Sequence, residues 1–164
     1  VNNWLRINCR YIFLIIFVSL ICVSHNPGNL VFAQNNVSVE SVKPTQAIEK
    51  VLSDQVKAWN KGDLEGFMAG YWKSPDLSFY SGKTITHGWQ PTLDRYRKRY
   101  QSEGKEMGTL AFNDLEIEML GQDTAFVRGK WQLQLKDESV GGVFTLILKK
   151  LPEGWRIIHD HTSG

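Results

Sequence analysis

The sequence predicts an α+β domain in which helices come first and an antiparallel sheet follows. Three observations lead to that reading. Apolar residues recur at helical spacing after Pro44, the chain from Thr109 onward alternates apolar with polar residues, and tight turns divide that second part into long runs. Helices segregated from strands along the chain favour helices packed on one face of a curved sheet. The 164 residues are 42% hydrophobic, 12% aromatic and 22% charged, which fits one globular domain and excludes collagen-like, coiled-coil and disordered chains.

The first thirty-odd residues differ from the rest. Arg6 and Arg10 precede an apolar stretch from Tyr11 to Val23, broken only by Ser19, and Val31-Phe32-Ala33 leads into the polar run Gln34-Asn35-Asn36. A basic start, an apolar middle and a small residue at the end predict a secretory signal peptide over residues 1–33, cleaved after Ala33. The apolar stretch is shorter than the ~20 residues that span a bilayer, which favours a signal peptide over a retained signal anchor. Ile21 stands before Cys22 where a lipoprotein signal needs a small residue, so no lipid anchor is expected. The expected location is therefore secreted or periplasmic, with membrane contact only through an uncleaved leader.

Removing the leader changes the composition. Both cysteines, Cys9 and Cys22, leave with it, and without Arg6 and Arg10 the chain holds 17 basic and 17 acidic residues. A neutral domain gives little electrostatic reason to bind nucleic acid. Without cysteines, stability rests on packing and hydrogen bonds, and roughly 130 residues suffice for one core.

Residues 34–44 read as a flexible arm and 45–164 as the domain. Ile48, Leu52, Val56 and Trp59 mark an amphipathic helix stopped by Gly62, and Asp63 can cap a short second helix through about Tyr71. Leu77 to Tyr80 and Thr84 to His87 are two short strands around Ser81-Gly82-Lys83, and Gln90 to Gln101 is a basic third helix. Four strands follow, from Thr109 to Leu120, Thr124 to Lys136, Val140 to Lys150 and Trp155 to Thr162.

Several residues could carry chemistry. His159 and His161 share one face of the last strand, while Asp160 points the other way. Two imidazoles could begin a metal site, but a catalytic zinc site usually takes three protein ligands and the spacing nominates no third. The reading preferred here is that they hydrogen-bond neighbouring strands or line a pocket, with no metal and no cofactor. Arg128 interrupts a packed strand, Ala125-Phe126-Val127-Arg128-Gly129. It answers either to a carboxylate or anionic ligand or to exposure on the outer face. Trp59, Trp72 and Tyr80, among many aromatic residues, suit the wall of an apolar cavity as well as a core. The run Arg95 to Arg99, with Tyr96 and Tyr100, reads as a solvated helix face over buried tyrosines.

The order of elements, the turn Trp59-Asn60-Lys61-Gly62-Asp63 and the strand at Asp76-Leu77-Ser78-Phe79 resemble the SnoaL-like branch of the nuclear transport factor 2-like superfamily. The ending Gly154-Trp155 to His159-Asp160-His161-Thr162-Ser163-Gly164 is similar to the calcium/calmodulin-dependent kinase II association domain and its bacterial relatives. The resemblance implies a cone-shaped fold, a homodimer formed through the sheet, and a cavity between helices and sheet. It further implies that Arg128 faces that cavity, whereas a second cavity arginine of the association domain is matched here by Leu146. The catalytic positions of ketosteroid isomerases, which share the fold, fall on Gln55, Ser81 and Leu146, which cannot perform that reaction.

The expectation is a secreted domain that binds a small, partly apolar, carboxylated ligand through Arg128, His159, His161, Tyr80, Trp59 and Trp72. A small isomerase, hydratase or hydrolase with a histidine base, and an oligomerisation module, are the alternatives.

Overall fold

The computed structural model describes residues 43–164 apart from Gly104. The predicted signal peptide, and the predicted arm up to residue 42, lie outside the described residues. Helix α1 spans Pro44–Trp59, α2 spans Leu64–Met68 and α3 spans Trp89–Tyr100. The strands are β1 (Ser78–Ser81), β2 (Thr84–His87), β3 (Thr109–Met119), β4 (Thr124–Gln134), β5 (Ser139–Leu151) and β6 (Gly154–Ser163). They form one sheet in the order β2-β1-β6-β5-β4-β3, antiparallel throughout except where β1 runs parallel to β6. The predicted α+β class and the sequence of elements agree with this architecture.

Proline is tolerated at the start of α1 because the first helical N–H has no partner within the helix. The helix buries Ile48, Leu52, Gln55 and Trp59, one residue per turn. Gln55, not Val56, completes the inward stripe, so a polar group enters the interior. The turn after α1 is a clamp. Asn60 donates from Nδ2 to the Leu110 carbonyl (3.1 Å) and accepts from the Leu110 N–H at Oδ1 (2.7 Å). Its amide thereby acts as one extra strand residue beside β3. The Trp59 indole N–H donates to the Met107 carbonyl (3.0 Å), fixing the same junction. Gly62 adopts φ +78°, a left-handed conformation costly for other residues, and Asp63 caps α2 by accepting from Gly66 N–H (2.8 Å).

Two irregularities set which side chains face the helices. In β3, Asp114 and Leu115 both oppose Gly129, and Asp114 takes φ +52°. That bulge turns Leu110, Phe112, Ile117 and Met119 toward the core although a strict alternation would separate them. In β6, Ile157 pairs with Leu148 and His159 with Ile147, leaving Ile158 as the extra residue. Trp155, Ile157 and Asp160 are therefore all buried, and His159 and His161 face the opposite side.

The outer face of the sheet carries two cross-strand rows. One runs Glu118, Phe126, Ile147, His159, Ser78, and the other Glu116, Arg128, Thr145, His161, Tyr80. The inner face meets the helices through Leu110, Val127, Leu133, Phe144, Leu146 and Leu148.

The Asn60 clamp gives a direct test. Asn60→Ala removes both bonds to Leu110 at a partly buried site, and should lower unfolding free energy by about 2 kcal/mol in urea titrations without changing the fold by circular dichroism.

Candidate functional site

Between the helices and the inner sheet face lies a cavity of about 320 Å³. Its wall is mostly aromatic and aliphatic, with Trp59 and Phe67 from the helical layer, Tyr96 and Tyr100 from α3, and Phe112, Phe144 and Leu146 from the sheet. The rings meet edge to face, with Trp59 against Phe67 at 5.1 Å and Tyr100 at 4.8 Å between centroids. That arrangement keeps a firm wall in place of a collapsible apolar gap. The volume and composition are those of a small-ligand site, an apolar pocket with few polar groups.

The polar groups sit at two levels. Asp160 is 3% exposed and lies at depth. One carboxylate oxygen accepts from the Tyr71 hydroxyl (2.7 Å), the other from the Thr162 hydroxyl (2.7 Å). Burial pushes its carboxyl up to about 6, and the bonds from Thr162 and Tyr71 and the nearby His161 offset only part of that rise. Tyr71 and Tyr96 are held well above the usual tyrosine range, by burial first and then by the Asp160 charge. Gln55 also lines the cavity and donates through Nε2 to the Phe67 carbonyl (3.1 Å). Gly70 makes room for it, since a Cβ there would stand 2.7 Å from the Gln55 amide carbon.

The rim is cationic. Arg95 and Arg99, one turn apart on α3, both line the cavity, Arg99 exposed and Arg95 partly so. Arg95 donates to the Thr86 hydroxyl (3.1 Å) and stacks over Phe79, and Arg99 lies over the Tyr100 ring. Among the described residues neither guanidinium is paired with a carboxylate. The third arginine of this helix, Arg97, points elsewhere and pairs with Glu65 and Asp94.

The structure distributes the residues singled out from sequence unevenly. Trp59 lines the cavity as expected. Arg128 does not, contrary to the position implied by the family resemblance. Val127 and Gly129 take the inward places on β4, so Arg128 emerges on the outer face with its side chain 49% exposed. There it pairs with Glu116 (2.9 Å) and Glu118 (3.7 Å) and lies over Phe126. His159 and His161 are also outside the cavity. His159 Nδ1 shares a hydrogen bond of 2.6 Å with the Ser78 hydroxyl, a bond to the neighbouring strand. Its basicity is lowered by partial burial and by His161. Tyr80 packs on both imidazoles instead of the cavity, and Trp72 is outside the lining, its backbone N–H donating to Ile157. No group of three metal-ligating side chains occurs among the described residues.

Asp160, Tyr71, Gln55, Arg95 and Arg99 were not selected from sequence. A signal for Asp160 existed, as the one acidic residue within the last strand, pointing away from the histidines.

The raised Asp160 carboxyl has a definite stability sign. Below the ordinary value of 3.8 both folded and unfolded forms are protonated and burial of the ion costs nothing. The cost grows as pH rises from 3.8 toward about 6 and is complete above that, on the order of 3 kcal/mol. Asp160→Asn should therefore be more stable than the wild type near neutral pH. That advantage should shrink to nothing as the pH of the urea titrations falls through the same window.

Comparison with known proteins agrees with the geometry. The family model for the SnoaL-like domain matches residues 48–164. An NTF-2-like protein of unknown function from Shewanella oneidensis MR-1 is 38% identical, with a TM-score of 0.70 over 74% of this chain and 99% of that one. A nuclear transport factor 2-like superfamily protein from Salmonella enterica has a TM-score of 0.61 at 22% identity, over 74% of this chain and 90% of its own. A protein of unknown function with a cystatin-like fold from Nostoc punctiforme has a TM-score of 0.61 at 12% identity, covering 73% and 89%. The last two likenesses concern the fold alone. No curated protein is significantly similar to the chain. The chain is a member of the SnoaL-like domain family, within the nuclear transport factor 2-like superfamily.

Proposed function

We propose that this protein is an exported domain that binds a small, partly apolar, carboxylate-bearing molecule in the cavity between helices and sheet. The observation that carries the reading is the pair of cavity-lining arginines, Arg95 and Arg99, beside aromatic walls. A guanidinium offers a planar fork of donors that matches a carboxylate, and the apolar interior takes the rest of the ligand. Arg95 and Arg99 thus fill the part first assigned to Arg128. The leader composition, with Arg6 and Arg10 before an apolar stretch, supports export.

A histidine-based enzyme is the weaker reading, because His159 and His161 stand on the face opposite the cavity. A homodimer through the outer sheet face fits the exposed apolar residues there. Val143 is 54% exposed, and Phe126 and Ile147 sit side by side in the row that ends at His159 and Ser78. Ile147→Glu should then halve the mass measured by light scattering, and an unchanged mass would count against this interface.

Calorimetric titration with phenylpropionate tests the ligand reading. Arg95→Ala combined with Arg99→Ala should weaken binding about tenfold or more, since charge-assisted hydrogen bonds to carboxylate contribute ~1.5–3 kcal/mol. Arg128→Ala should leave it unchanged. Binding indifferent to the rim arginines would remove the basis for a carboxylate.

A further inference from the structure

We infer that the inner end of the cavity is a subsite for a hydroxyl group, received by the Asp160 carboxylate, so that the ligand class is a small hydroxy acid with an aromatic or alicyclic body. The inference rests on the carboxylate reading for the outer end of the molecule and adds what its inner end must be.

The argument is a count of donors and acceptors. Asp160 receives one hydrogen bond on each oxygen, from Tyr71 and from Thr162, each at 2.7 Å. A carboxylate oxygen accepts two, so about half of its capacity is unused. The Tyr71 and Thr162 hydroxyl protons are already committed to it, which leaves the Tyr96 phenol, beside Tyr71 in the same lining, as the further donor at this depth against the open acceptor sites of the carboxylate. Gln55 adds to this. Its NH₂ must face the Phe67 carbonyl at 3.1 Å, because a carbonyl cannot accept from another, and among the described residues no donor reaches its Oε1. A ligand hydroxyl supplies what Asp160 and Gln55 Oε1 lack, whereas a ligand carbonyl placed against those two groups would face acceptors.

The surroundings of Asp160 sharpen this. Phe79 on β1 and Leu146 on β5 are its pairing neighbours, and both are apolar. Tyr71 after α2 and Tyr96 on α3 are phenols that stay protonated, and Gln55 on α1 is neutral. His161 lies on the same strand but points to the opposite face, and Arg95 and Arg99 belong to the rim. An additional donor therefore stabilises the ionised carboxylate with little competition from a protein cation. The opposite demands of the two ends, anion at the rim and donor at depth, orient the ligand in one sense only.

Two matched probe pairs test the subsite: phenylpropionate against para-hydroxyphenylpropionate, and toluene against para-cresol. Binding is measured by calorimetry at mildly acidic and mildly alkaline pH, with wild type and Asp160→Asn. In the wild type the hydroxyl should raise affinity about tenfold at alkaline pH, because an added bond to a charged acceptor is a strong one. The gain should shrink on acidification, and binding near pH 6 should release protons, read from buffers of different ionisation enthalpy. In Asp160→Asn the gain should fall to roughly threefold or less, the neutral amide being a weaker acceptor, and proton release should vanish. A hydroxyl gain absent from both pairs, or equal in the variant, overturns the subsite. If para-cresol keeps its Asp160-dependent gain while neither acid depends on Arg95 and Arg99, the subsite stands and the carboxylate reading falls. Proton release in the wild type gives a readout that does not depend on how well the variant folds.

Discussion

A carboxylate buried among aromatic rings has to be hydrogen-bonded, and meeting that demand at Asp160 organises the centre of this domain. Leaving such an ion unpaired would cost several kcal/mol, more than a domain of this size can spare. The Tyr71 hydroxyl is the long-range partner, reaching across 89 positions of sequence from the end of the helical segment to the last strand. The backbone reinforces the link, since Ile157 N–H donates to the Gly70 carbonyl and Trp72 N–H to the Ile157 carbonyl, both at 2.9 Å. The segment that carries Tyr71 is thus joined to the strand that carries Asp160 by main chain and side chain together. The cavity is kept open where these two layers are held apart by aromatic rings.

The same demand explains why β6 needs its bulge. Without the extra residue at Ile158, the alternation that buries Trp155 and Ile157 would next bury His159 and His161, and Asp160 would lie outside. One inserted residue exchanges two imidazoles for one carboxylate at the cavity wall. The bulge in β3 works in the same manner on apolar residues, keeping both halves of a long strand packed on the core. Both are places where a strand carries two requirements that a period of two cannot satisfy together.

That is also where reading from sequence stops short. The helices, the strand order along the chain and the antiparallel run were legible because apolar spacing is a local property, visible in Ile48, Leu52 and Trp59 or in Ala125 and Val127. The opposition of Asp160 to His159 and His161 was legible too, for any extended segment produces it. Which side faced inward was not, because a single unpaired residue reverses the answer and Ile158 has no distinctive side chain to announce it. Arg128 was misplaced for a different reason. The small and apolar neighbours Val127 and Gly129 hold the inward places on β4, a local register that a resemblance to a family with a cavity arginine does not carry. Arg95 and Arg99 were passed over because each adjoins a tyrosine, and a basic stripe beside an aromatic one reads as exterior until a cavity is known to open between them.

Charge balance then acquires a spatial meaning. Residues 34–164 carry equal numbers of basic and acidic residues, so net charge gives little long-range pull on a ligand. On the outer face opposite charges are paired locally, Arg128 with Glu116 and Glu118, and Lys130 with Asp114 at 2.8 Å. Pairs of that exposure are worth ~0–1 kcal/mol and mainly cancel one another's field. At the cavity the two signs are kept separate, with guanidinium groups at the rim and a carboxyl at depth. Keeping them apart forgoes the stability of an ion pair. The cavity thus has a polarity with direction, cationic at the rim and acidic at depth, and a bound molecule would have to match it end for end.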